Sequence, residues 1–130
     1  MICGIGVDIC QVSRLESFPL EGRFARRFFS REELAYLESK GSARAQSMAG
    51  LYAAKEAFSK VLGSGVRGFE LKEVEVIHTP EGRPCYRISG KALEAMKQRG
   101  IEEVLLSISH DAGVAAAFAL GQKSDNKEEL

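Results

Sequence analysis

The stretch from about Ala43 to Leu62 constrains this chain most, because it is a long run of helix-compatible residues closed by Gly63 and Gly65, where a left-handed cap is favoured. At roughly 100° per residue from Met48, the side chains of Leu51, Tyr52, Phe58 and Leu62 fall within about 60–80° of one line. One face of this central helix must therefore be covered, and the segments on either side of it read as strands. The chain has 130 residues, 45% hydrophobic and 28% charged. That fits one globular domain, placed at 1–120, with the polar residues 121–130 expected to fray.

The strands follow from period-2 alternation. In Met1 to Cys10 the odd positions Cys3, Ile5, Val7 and Ile9 form an apolar face and the even positions Gly4, Gly6 and Asp8 a nearly bare one. Glu73–His78 and Pro84–Ile88 flank a turn-rich loop, and Val104–Ser109 and Gly113–Leu120 flank His110-Asp-Ala-Gly113, so both pairs read as hairpins. Ser30-Arg-Glu-Glu33 forms a capping box that starts a helix near Arg31, and Gly90–Arg99 is a short amphipathic helix. The order strand, helices, two strands, helix, two strands predicts an α+β fold, an antiparallel sheet packed against the long central helix.

Charge and composition exclude several classes. Eighteen basic residues balance eighteen acidic ones, which leaves no basic excess for nucleic acid. No apolar run approaches the roughly 20 residues that span a bilayer, so no membrane association is expected. The three cysteines, Cys3, Cys10 and Cys85, lack metal-site spacing and disulfide density, and read as free thiols of a cytoplasmic protein.

Chemistry is sought where residues contradict their element. Lys55 and Ser59 fall inside the apolar stripe of the central helix, and a lysine there must either snorkel or meet an anion. Glu56 and Lys60, about 80° and 120° from Met48, make an i, i+4 pair on the flank of that stripe. They are either a surface salt bridge or groups placed beside Gly63-Ser64-Gly65 for a metal-bound phosphate. Asp8, behind two glycines, is either a helix cap or, with Glu56, one of two hard oxygen ligands of the kind that hold magnesium. His110 either bonds locally in its hairpin or serves a ligand. Arg14, Arg23, Arg26, Arg27 and Arg31 are interleaved with Phe18, Phe24, Phe28 and Phe29, a composition suited to gripping an acidic helix or a phosphate.

Gly4-Ile-Gly-Val-Asp8-Ile, Tyr52-Ala-Ala-Lys55-Glu56-Ala-Phe-Ser59-Lys60 with Gly63-Ser-Gly65, and Ser107-Ile-Ser-His110 resemble the holo-acyl-carrier-protein synthases, small 4′-phosphopantetheinyl transferases, over nearly the whole chain. The resemblance implies a 4′-phosphopantetheinyl transferase-like fold. It implies Mg²⁺-dependent transfer of the phosphopantetheine arm of coenzyme A to a serine of apo acyl carrier protein, in fatty acid biosynthesis, by a homotrimer with sites at subunit boundaries. By motif, Asp8 and Glu56 would hold the metal, Lys60 would neutralise the leaving phosphate and Glu56, directly or through a metal-bound water, would be the base. Lys55, Ser59, Lys60, Gly63, Ser64, Gly65 and His110 would line the coenzyme, and Arg14, Arg23, Phe24 and Arg27 would dock the carrier. Leu51 stands where the family often has a basic residue, which leaves the nucleotide phosphate to Arg44 or to a neighbouring subunit. The competing reading is a non-catalytic adaptor that binds acidic helices through the arginine patch.

Overall fold

Two strand glycines decide how the molecule is assembled. In a computed structural model, which describes residues 1–63 and 68–125, β1 (Ile2–Gln11) lies directly on the central helix. A Cβ built on Gly6 would sit 2.1 Å from the Ala57 carbonyl oxygen, and one on Gly4 would sit 2.6 Å from that of Val61. Neither position admits a side chain, so strand and helix backbones are in contact. The alternation in β1 is as expected, but the packing is reversed from what an apolar face suggests. The bare face is turned to the helix, with Gly6 and Cys10 buried, while Ile5, Val7 and Ile9 are 58%, 56% and 65% exposed. Glycines bring the backbones closer than any apolar side chain would allow, and the apolar side chains are left outside.

The elements between β1 and the sheet's closing hairpin are α1 (Arg23–Phe28), α2 (Arg31–Glu38), α3 (Arg44–Leu62), β2 (Val74–His78), β3 (Pro84–Ile88) and α4 (Gly90–Gln98). The capping box forms as read: Ser30 Oγ accepts from the Glu33 N–H at 3.1 Å, and Glu33 Oε1 accepts from the Ser30 N–H at 2.9 Å. β2 and β3 pair antiparallel as a separate hairpin.

The main sheet runs β1-β5-β4, antiparallel throughout, with β4 at Glu103–Asp111 and β5 at Val114–Gln122. The β4–β5 turn places Ala112 at φ 52° and Gly113 at φ 77°, the positive pair that matches strand twist in a two-residue hairpin. On the helix side of β5 only small residues are presented: Ala115, Ala117, Ala119 and Gly121 are buried beneath an α3 that is itself rich in buried alanine. Small residues on both surfaces let helix and sheet approach closely. Phe29, Leu37, Met48, Leu51, Phe58 and Val74 fill the space between α3 and the smaller elements.

The fold is thus α+β, an antiparallel sheet against one long helix. β5 extends to Gln122, two residues into the stretch expected to fray, and residues 126–130 lie outside the described ones. Among the described residues no helix is long and apolar enough to cross a membrane.

Candidate active site

The close approach of β1 to α3 brings Asp8 to Lys60. Asp8 shares the inward face of Gly4 and Gly6, and Lys60 Nζ donates to its Oδ1 at 3.2 Å and to the Val7 carbonyl at 3.0 Å. Asp8 is not a helix cap, since β1 continues past it to Gln11 and Asp8 pairs with Ala117 inside the sheet. Lys60 therefore reaches across to the strand acid. Glu56 lies one turn before Lys60 on α3, and Tyr52 one turn before Glu56. The Tyr52 phenol is pushed above its ordinary range by burial, then by the negative charge of Glu56, with Asp8 adding to the rise and Arg14 opposing it. Asp8 meets Lys60 across this contact and Glu56 lies one turn before Lys60, so the two acids, 48 positions apart in the chain, flank the same stretch of α3.

Glu56 and Ser59 form one wall of a cleft of about 460 Å³. Arg27 and Phe28 of α1 form the second wall, and Phe69, Glu70, Leu71 and Lys72 the third. Around it the expected docking residues gather. Phe24 stacks on Phe18 at 4.2 Å and meets Phe28 edge-on at 4.8 Å; Tyr52 joins both from α3, at 6.2 Å from Phe24 and 6.1 Å from Phe28. Arg14, Arg23 and Arg27 are exposed around this aromatic cluster, with the Arg27 guanidinium 5.5 Å from the Phe28 ring centre. Arg27 of the patch and Glu56 line the same cleft.

Three residues expected at the coenzyme are not brought to Asp8 and Glu56 within one chain. Lys55 is fully buried, and all three of its ammonium protons are used: on Glu33 Oε1 at 2.8 Å, the Leu71 carbonyl at 2.9 Å and the Val74 carbonyl at 2.7 Å. A group so enclosed and so satisfied cannot touch a ligand. Of the two possibilities for a lysine in the stripe, it meets an anion, and the anion is the capping-box glutamate. Burial pushes the Lys55 ammonium down and the Glu33 carboxyl up, each opposed by the charge of the other. Arg44 is turned toward the segment after β1, donating to the Phe18 carbonyl at 2.8 Å and the Glu16 carbonyl at 3.2 Å. His110 lies at the far end of β4, over Gly50 and on the opposite side of the sheet's helix from Asp8, beside Ser47, Leu51 and His78. Within one chain it is not brought to the two acids. Gly63 closes α3 at φ 132°, while Ser64 and Gly65 fall outside the described residues.

Sequence reading missed the third wall of the cleft and the partner of Lys55. Phe69 and Leu71 stand in a stretch with no usable period. Glu33 did carry a signal, because it lies one turn from Leu37 on the buried side of α2, an acid in an apolar stripe facing a lysine in another.

Among the described residues no group of three or more His, Cys, Asp or Glu side chains could hold a metal ion. Asp8 and Glu56 alone are two hard oxygen donors. That number suits magnesium, which keeps waters and takes phosphate oxygens for the remainder of its shell.

A sheet of this topology on a long helix, with an Asp on the first strand and a Glu-x-x-x-Lys on the helix, is what the resemblance to the phosphopantetheinyl transferases implies. The family model described as the 4′-phosphopantetheinyl transferase superfamily matches residues 4–119, and the chain belongs to that superfamily. Within it, the similar proteins are holo-[acyl-carrier-protein] synthases. That of Treponema denticola is 44% identical over 120 residues, covering 92% of this chain and 98% of its own. The crystal structure of the Neisseria meningitidis holo-[acyl-carrier-protein] synthase superposes with a TM-score of 0.83 at 31% identity, covering 95% of this chain and all of the other. The Helicobacter pylori enzyme, solved in complex with coenzyme A, superposes with a TM-score of 0.74 at 32% identity, covering 91% of this chain and 99% of its own.

Proposed function

We propose that this chain is a holo-[acyl-carrier-protein] synthase that moves the 4′-phosphopantetheine arm of coenzyme A onto a serine of apo acyl carrier protein. The observation that carries the reading is the convergence of Asp8 and Lys60 across the β1–α3 contact, one helical turn from Glu56 at the mouth of a cleft. The serine oxygen forms a bond to the phosphorus that bears the pantetheine, and the diphosphate bond to the nucleotide breaks. Adenosine 3′,5′-bisphosphate leaves with the bridging oxygen. The serine proton passes to the Glu56 carboxylate, a general-base step worth typically 10²–10⁴-fold.

Among the described residues Lys60 donates to Asp8 and the Val7 carbonyl, and its remaining proton would meet a phosphate oxygen as charge builds on the leaving group. Asp8 and Glu56 are the residues that would hold Mg²⁺. When bound, the ion supplies neutralisation of the diphosphate, the main requirement of a loose phosphoryl-transfer transition state. Arg14, Arg23, Phe24 and Arg27 dock the acidic carrier beside the cleft, so that its serine enters next to Glu56.

The protein works as a homotrimer. Supporting this are Ile5, Val7, Ile9, Leu105 and Phe118, large apolar side chains about half exposed or more on the sheet face away from α3, with Val7 paired beside Phe118. Such a contiguous apolar face is the kind that another copy covers. His110, remote from Asp8 in its own chain, then serves the nucleotide of a neighbour's site. Three free thiols suit the reducing cytoplasm.

The test is the intact mass of apo carrier incubated with coenzyme A and Mg²⁺. The expected result is a gain of one phosphopantetheine that disappears in Glu56→Ala. An unchanged mass with the parent protein, alongside carrier binding that survives Asp8→Ala, would replace this reading with the adaptor.

A further inference from the structure

Lys55 adjoins Glu56 in sequence but points into the core, and its contacts reach the other walls of the cleft. Its ammonium is hydrogen-bonded to the carbonyl of Leu71, which lines the cleft, and to that of Val74 just beyond it. Its ion-pair partner, Glu33, is fixed in turn by the N–H groups of Ser30 and Val76, which accounts for both carboxylate oxygens. Ser30 follows α1, the helix that supplies Arg27 and Phe28, after a single residue. One buried cation therefore ties α3, the N-terminus of α2, the segment after Phe69 and the start of β2 to a common point.

Stability alone is a poor reason for such a group. A buried ion pair costs desolvation, and replacing both partners by apolar residues of similar size is often neutral or better. A fixed point joining all three walls of a reaction cleft has another use, which is to hold Glu56 at a set distance from whatever the opposite walls bind.

We propose that Lys55 is a positioning residue for the transfer reaction, its buried hydrogen bonds to Glu33, Leu71 and Val74 setting the separation between Glu56 and the facing walls of the cleft. This rests on the functional reading above. Lys55 touches no substrate, so its removal acts on the alignment of reacting groups, where displacements of about 1 Å can cost as much as 100-fold.

The experiment compares wild type, Lys55→Met and the double variant Lys55→Met/Glu33→Met in the carrier mass assay, each well below its unfolding midpoint with circular dichroism confirming a folded protein. The double variant leaves no unpaired buried charge, and so guards against a single variant that fails to fold. The expected result is a kcat lower by about 10- to 100-fold in the folded variants, with the KM for coenzyme A changed by less than about threefold. A folded variant, single or double, with wild-type kcat overturns the proposal, as does a loss confined to KM. Failure of both variants to fold also overturns it, making Lys55 a determinant of the fold instead. If wild type transfers nothing, the functional reading falls and takes this proposal with it. If wild type transfers and the variants match it, only the positioning role is lost.

Discussion

Replacing Gly6 by alanine puts one methyl group where strand and helix backbones meet. That Cβ would lie 2.1 Å from the Ala57 carbonyl oxygen, 3.0 Å from Lys60 Cβ and 3.0 Å from the Val61 nitrogen. Ordinary contact begins near 3.4 Å, and two of the three obstacles are backbone, so relief must come from movement of β1. The strand has to withdraw by about 1.3 Å, which overpacking data translate into about 1–3 kcal/mol of lost stability. The same movement lengthens the 3.2 Å Asp8–Lys60 contact beyond hydrogen-bond range and carries Asp8 away from the flank of Glu56. Thermal unfolding together with the carrier mass assay at several Mg²⁺ concentrations measures both effects. The expected outcome for Gly6→Ala is a folded but less stable protein that needs more Mg²⁺ and loses about 10- to 100-fold in kcat/KM. Full activity and an unchanged unfolding midpoint would refute the claim that this glycine sets the site.

Other outcomes follow from the same geometry. At Gly50 a Cβ would come within 3.1 Å of Ile108 Cγ2 and 3.2 Å of His110 Nε2. Gly50→Ala should thus displace the His110 ring, seen as shifted imidazole resonances, while better helix propensity, worth up to about 1 kcal/mol, offsets the crowding. An unmoved His110 resonance would contradict this. Tyr86 is half-buried against the core and donates its hydroxyl to the Ala54 carbonyl at 2.5 Å, and this enclosure pushes its phenol far above the ordinary range. Because the folded value is raised, the stability it contributes is complete below the unfolded value of about 10 and is lost as pH rises further. Urea midpoints at pH 9 and pH 11 should fall less in Tyr86→Phe than in wild type, and equal falls would count against the assignment. Val7→Asp, on the exposed apolar face, should reduce the molecular mass in solution to that of one chain without changing the circular dichroism spectrum; an unaltered assembly would place the interface elsewhere.

What the sequence made legible was local. The capping box at Ser30 and Glu33, the span of α3 and the β4–β5 hairpin all depend on residues a few positions apart, and they form as read. β1 was harder, because alternation reveals two faces without saying which is buried. Glycine carries no hydrophobic signal, yet Gly4 and Gly6 win the contact with α3 by taking no space. Asp8 and Glu56 could be nominated from their patterns and the family resemblance. Their approach depends on the β1–α3 contact, which no local period encodes. Lys55 and Arg44 are turned away from the two acids for a common reason: each cation is satisfied by a distant partner, Glu33 for one and the carbonyls of Glu16 and Phe18 for the other. Before the chain folds, such a lysine or arginine is indistinguishable from a ligand-binding one.

The joint hold of Asp8 and Glu56 on one divalent cation can be measured without turnover. With Mn²⁺ as the probe and coenzyme A present, electron paramagnetic resonance reports the bound fraction directly in wild type, Asp8→Asn and Glu56→Gln. Each single substitution should weaken binding by about tenfold or more, as loss of one of two protein carboxylates from a magnesium-type shell requires. Wild-type affinity in either folded variant would contradict the account.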